Sequence, residues 1–234
     1  MDINNYIDYT NLKAIATRED IKKLCDEAMQ YHFASVCVNP CYVELASELL
    51  EGTNVNVCTV IGFPLGANML AVKEYEAISA VELGADEIDM VINVGALKDK
   101  DYDYIKEEIE TIRDSIGGKT LKVIIETCYL TEAEIRKMVE ICNDTFVNFI
   151  KTSTGFGTRG ASLEDIEIIN KYKNKALEIK ASGGIKTYDD AINFIEAGVS
   201  RIGTSSLLVE KEECNCHECN CEHEKDNCHC KEEK

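Results

Sequence analysis

The chain has 234 residues, 45% hydrophobic and 29% charged, with only two prolines, enough apolar material to bury a full core. Its formal charge of −18 leaves no basic surface for counterion release, which excludes nucleic acid and an anionic membrane as expected partners. No apolar run approaches the roughly 20 residues that span a bilayer, and Met1-Asp2-Ile3-Asn4-Asn5 is neither basic nor greasy, so a cytoplasmic protein is expected.

From residue 5 to about 206, short β-branched runs alternate with longer segments of helical period, the pattern of strand–helix units on a parallel sheet. The runs fall at 6–9, 35–38, 56–61, 87–92, 122–127, 146–152, 177–181 and 200–203. Between them, Thr17 with Asp20, Thr131 with Glu134 and Ser162 with Asp165 have the spacing of helix N-caps. Ile105, Ile109, Ile112 and Ile116, and likewise Ile135, Met138, Val139 and Cys142, each predict one buried helical stripe. Eight strand runs predict a (β/α)8 TIM barrel over 1–209. An open doubly wound sheet would carry glycines in its first turn, and Thr10-Asn11-Leu12-Lys13 has none.

In such a barrel, function sits at the carboxyl ends of strands. Asp89, Lys151 and Lys180 each interrupt an apolar run near a predicted strand end, where a charge costs several kcal/mol unless it is paired or neutralised. Lys151 and Lys180 fall on neighbouring strands. Two amines ~4 Å apart at an effective dielectric of ~20 repel by about 4 kcal/mol, enough to lower one amine by about three pH units. The neutral amine that results is a Schiff-base nucleophile, with Asp89 moving protons through a water. The structural alternative is a buried ion-pair network that only fixes the barrel interior.

Glycine-rich segments follow the late strands: Lys151-Thr152-Ser153-Thr154-Gly155-Phe156-Gly157, Lys180-Ala181-Ser182-Gly183-Gly184 and Arg201-Ile202-Gly203-Thr204-Ser205-Ser206. Their backbone N–H groups, and a helix starting at Ser205 or Ser206, predict a phosphate site.

The segments GADEIDMVINVGALK (84–98), LKVIIET (121–127), FIKTSTGFG (149–157), IKASGGIKT (179–187) and RIGTSSLL (201–208) resemble those of the deoxyribose-phosphate aldolases, as do IDYTNLK (7–13), SVCVNP (35–40) and VIGFPLG (60–66). The resemblance implies a class I aldolase that cleaves 2-deoxy-D-ribose 5-phosphate to D-glyceraldehyde 3-phosphate and acetaldehyde and needs no cofactor for catalysis. It makes Lys151 the Schiff-base lysine, Lys180 the lysine that perturbs it and Asp89 the proton-transfer carboxylate. It also places phosphate contacts at Gly155, Gly183, Gly184, Gly203, Ser205 and Ser206, and pocket-lining groups at Asp8, Thr10 and Cys37. Some relatives carry a lysine where Phe156 stands, so any cationic help for the phosphate must come from Lys186, from Arg159 or from nowhere.

Six of the twelve cysteines, Cys25, Cys37, Cys41, Cys58, Cys128 and Cys142, are scattered and read as reduced small hydrophobes of a cytosolic core. The other six crowd into an acidic segment, 210–234, with no apolar period, which predicts a disordered tail. Cys214, Cys216, His217, Cys219, Cys221, His223, Cys228, His229 and Cys230 are donors suited to Zn2+ or Cu(I). An alternative reading therefore makes the chain a metal-binding or metal-sensing module on a barrel scaffold. Expected partners are small phosphosugars and aldehydes, and a second copy in a homodimer.

Overall fold

The computed structural model describes residues 1–206. Eight strands, β1 (Ile7–Asn11), β2 (Ser35–Val38), β3 (Asn56–Ile61), β4 (Glu87–Val91), β5 (Thr120–Ile124), β6 (Phe149–Lys151), β7 (Glu178–Ser182) and β8 (Arg201–Thr204), pair in sequence order. All pairs are parallel, and β8 closes on β1 with Asp8 opposite Gly203. The expected barrel is therefore present. Helices α1 (Arg18–Gln30), α2 (Val43–Leu49), α3 (Leu70–Glu82), α4 (Val94–Lys98), α5 (Tyr102–Ser115), α6 (Glu132–Asp144), α7 (Leu163–Tyr172) and α8 (Tyr188–Glu196) fill the crossovers. No helix among the described residues is long and apolar enough to cross a membrane.

Several boundaries differ from expectation for local reasons. Residues Asn4–Tyr6 form a 3-10 turn, so β1 starts and ends later than predicted. The run at 122–127 stops at Ile124, and two residues on Glu126 takes a left-handed backbone (φ 52°) that no strand continues through. Phe146 is likewise left-handed (φ 54°), and β6 begins only at Phe149.

Helix starts follow the cap chemistry. Thr17 and Thr131 form capping boxes with Asp20 and Glu134, and Thr187 with Asp190 forms a third. Ser162 accepts from the Asp165 amide, but the Asp165 carboxylate turns away to Arg159 and Thr127. Both predicted stripes are buried.

The main apolar core lies between the barrel wall and the helices. Inside the barrel, a small apolar cluster of Leu12, Cys37, Cys58 and Val60, with Phe63 against it, packs beside a layer of buried charged side chains. The expected tail, 210–234, with Cys214, Cys216, His217, Cys219, Cys221, His223, Cys228, His229 and Cys230, lies outside the described residues, as does any helix running on from Ser205 or Ser206.

Candidate active site

Side chains alternate across a strand, so residues two apart on each strand enter the barrel together. Asp8, Glu87, Asp89, Lys122, Lys151, Lys180 and Arg201 all do so and join in one network. Asp89 Oδ2 accepts from Lys151 Nζ and Lys180 Nζ, each at 2.7 Å, while its Oδ1 accepts from Lys122 at 3.0 Å. Lys122 also donates to Glu87 (2.5 Å). Asp8 Oδ2 faces Lys180 at 2.5 Å as an ion pair outside hydrogen-bond geometry, and its Oδ1 accepts from Arg201 (2.5 Å).

The two expected lysines thus approach each other, but not as bare amines: one carboxylate oxygen lies between them, and their nitrogens are no further apart than twice its contact distance. Asp89 and Lys180 also sit mid-strand rather than at strand ends. Burial pushes the Lys180 amine down, but Asp8 and Asp89 outweigh it and hold Lys180 above its ordinary range. Lys122 is raised in the same way by Asp89, Cys58, Asp8 and Glu87. Burial pushes Asp89 up, and Lys122, Lys151 and Lys180 reverse this, leaving it well below the usual carboxylate range. Lys122 and Lys180 are therefore persistent cations and Asp89 a persistent anion at neutral pH.

Above this network opens a cavity of about 560 Å³. Of the trio, only Lys151 lines it; Asp89 and Lys180 are fully buried beneath. Thr10, Gly155, Gly183, Gly184, Gly203 and Ser205 line it, whereas Ser206 is not among the lining residues. Asp8 and Cys37 do not line it either, since both are fully buried in the layer below. Lys186 is at the wall, together with Lys13 and Lys23. Arg159 is absent from the lining and is held by Asp165 at 2.5 Å. Phe156 packs edge-on against Phe63 at 5.3 Å on the rim. Gly155, Gly183 and Gly184 all have φ above 80°, a left-handed backbone that glycine adopts without steric cost.

Among the described residues one donor set has metal-like spacing: Cys37, Cys58 and Asp89, with ligand atoms within 4.8 Å of one another. Three ammonium groups already sit on Asp89, and Lys122 lies 3.3 Å from Cys58 Sγ. That field repels a dication.

A family model described as DeoC/LacD family aldolase matches residues 5–209. The chain belongs to this family. A deoxyribose-phosphate aldolase of Thermococcus gammatolerans is 56% identical over 210 residues, covering 88% of this chain and 93% of the relative. One from Finegoldia magna is 53% identical over 206 residues, covering 88% and 97%. Among solved structures, a deoxyribose phosphate aldolase of Aeropyrum pernix, described as a unique tetramer, superposes with a TM-score of 0.81 at 33% identity, covering 87% of each chain.

Within this aldolase barrel, sequence reasoning missed Lys122, Glu87, Arg201, Cys58 and Glu126. Strand parity was the available signal for the first four, because each lies two residues from an inward position already identified or is register-paired with one; Glu126, past the end of β5, carried no such signal. Glu126 holds the Lys151 loop: it accepts from the Thr154 amide (3.2 Å) and from the Thr154 hydroxyl.

Proposed function

We propose that this aldolase cleaves 2-deoxy-D-ribose 5-phosphate reversibly into D-glyceraldehyde 3-phosphate and acetaldehyde through a Schiff base at Lys151. The observation that carries the reading is that Lys151 alone joins the buried network to the cavity. The neutral amine adds to the C1 aldehyde of the open-chain sugar, and loss of water gives the iminium ion. Removal of the C3 hydroxyl proton breaks the C2–C3 bond, releasing glyceraldehyde 3-phosphate and leaving the electron pair in an enamine. Protonation at C2 and hydrolysis of the imine return acetaldehyde and Lys151. No step calls for a cofactor.

Asp89, kept ionised by its three ammonium contacts, is the proton-transfer carboxylate, acting as an acceptor through a water. Lys180 supplies the fixed positive charge beside the nucleophile. The Gly155, Gly183–Gly184, Gly203 and Ser205 backbone takes the phosphate, with Lys186 as the cation at the wall. Borohydride in the presence of acetaldehyde should reduce the imine to an ethyl-amine adduct, which peptide mass spectrometry should locate on Lys151. Lys151→Ala should lower turnover by ~10³-fold or more while the circular dichroism spectrum is unchanged. An adduct elsewhere, or none, rejects the assignment.

The reading extends to the division of the chain into a barrel, 1–209, and a tail, 210–234. Thiol and imidazole density in the tail supports binding of Zn2+ or Cu(I) there, remote from catalysis. Stripping metal with a chelator should leave the cleavage rate unchanged; a lost rate would favour the metal-module alternative. Scattered free thiols and a phosphorylated intracellular substrate support a cytoplasmic location. Exposed Leu65, Met69 and Tyr75 support pairing with a second copy, which sedimentation would register.

A further inference from the structure

Arg201 stands at the start of β8, its Cα opposite that of Lys180. Its guanidinium forks across the barrel: Nη1 donates to Asp8 on β1 at 2.5 Å and Nη2 to Glu87 on β4 at 3.1 Å. It lies 5.6 Å over the Phe149 ring. Phe149 is two residues before Lys151 on β6, so the ring under the guanidinium belongs to the side-chain layer about 7 Å along the strand beneath that of Lys151.

The network that holds Lys151 through Asp89 draws titratable groups from every other strand. They are Asp8 on β1, the Cys37 and Cys58 thiols on β2 and β3, Glu87 and Asp89 on β4, Lys122 on β5, Lys180 on β7 and Arg201 on β8. Glu126, just past β5, is committed to Thr154. Among the ionic members, four bases (Lys122, Lys151, Lys180, Arg201) face three carboxylates (Asp8, Glu87, Asp89). The interior therefore carries one positive charge too many when every base is protonated. Arginine is the base that does not surrender its proton.

We propose that Arg201 is a positioning residue that supplies this surplus charge from below, and that the surplus, together with its grip on Asp8, keeps Lys151 available as the neutral amine. The role rests on the reading of Lys151 as the nucleophile. Arg201 also fixes Asp8 so that one oxygen is spent on the guanidinium and the other on Lys180, which leaves Asp89 as the one carboxylate of the cluster in contact with Lys151.

A unit charge about 7 Å away at an effective dielectric of ~20 moves an amine by between one and two pH units. Arg201→Gln should therefore shift the acid limb of kcat/KM, and of borohydride trapping at Lys151, upward by about that amount, so that trapping on the acid side falls about tenfold. Arg201→Lys, which keeps the charge, should restore the parent profile. Glu87→Gln removes a negative charge at the same place and should move the limb to lower pH, a direction that general destabilisation cannot mimic. It also carries the test if Arg201→Gln fails to fold.

A folded Arg201→Gln that loses rate equally at all pH values, or a Glu87→Gln profile that does not move, overturns the proposal. Absence of any adduct at Lys151 in the parent chain instead rejects the nucleophile assignment and this role with it.

Discussion

At the scale of single residues, two glycines set how closely two loops of the rim pack against each other. A Cβ built on Gly160 would lie 1.9 Å from the Gly183 carbonyl oxygen, so only hydrogen fits where the two segments cross. Gly183 itself has φ 83°, a left-handed backbone that disfavours any side chain. Gly160 is outside the cavity lining, which makes it a clean lever on the loop. Gly160→Ala should displace Gly183 without moving Lys151, raising KM for the phosphorylated substrate by about tenfold, or about 1.4 kcal/mol of binding, with kcat within about threefold of the parent. Steady-state kinetics would settle it, and a fall in kcat at constant KM would show that the loop acts on the chemistry instead.

At the scale of elements, a second buried ion pair braces the strand carrying Asp89. Lys73 of α3 donates to the Val91 carbonyl at the end of β4 (2.7 Å) and to Glu108 of α5 (2.5 Å), whose other oxygen accepts from the Asn93 amide. Both side chains are fully buried, and burial pushes the Lys73 amine down and the Glu108 carboxyl up. Lys73→Met would strand the Glu108 carboxylate and should cost about 3–5 kcal/mol in urea unfolding, while Lys73→Met with Glu108→Leu should recover most of it. A cost below about 1 kcal/mol for the single change would mean that water reaches Glu108. The elements that could be read from sequence alone were those whose signals are local. The caps at Thr17 and Thr131, the Ile105 and Ile135 stripes, and β2 and β3 to the residue all follow from neighbours in the chain. Lys73 and Glu108 were not legible, because their ion pair spans 35 residues. The same limit applies to the lysine pair: sequence gave their adjacency on β6 and β7, whereas the carboxylate between them arrives from β4.

At the scale of the whole molecule, the charged interior ties stability to pH. Asp8 and Asp89 are held below their ordinary values, despite burial, by Lys180, Lys122 and their neighbours. Their contribution is complete above the unfolded carboxylate value near 4 and is lost as pH falls through their folded values. Lys122 and Lys180 are held above theirs, so their contribution is complete below about 10.5 and is lost as pH rises through their folded values. Thermal melts followed by circular dichroism should therefore show a broad plateau in Tm between about pH 5 and 9, with a decline on the acid side beginning near pH 4. A melting temperature that climbs steadily on acidification below pH 4 would contradict this.

Closure of β8 on β1 has a further consequence during synthesis. Asp8 leaves the ribosome with the first strand of the barrel, yet its guanidinium partner sits on the last. A nascent chain with seven strands emerged still lacks one wall and one cation of the cluster, and its early carboxylates stay in water until Arg201 follows. The charge centre on which the proposed chemistry depends is thus incomplete until the barrel is translated through its eighth strand, and fragments cut short before that point lack the Arg201 that closes it.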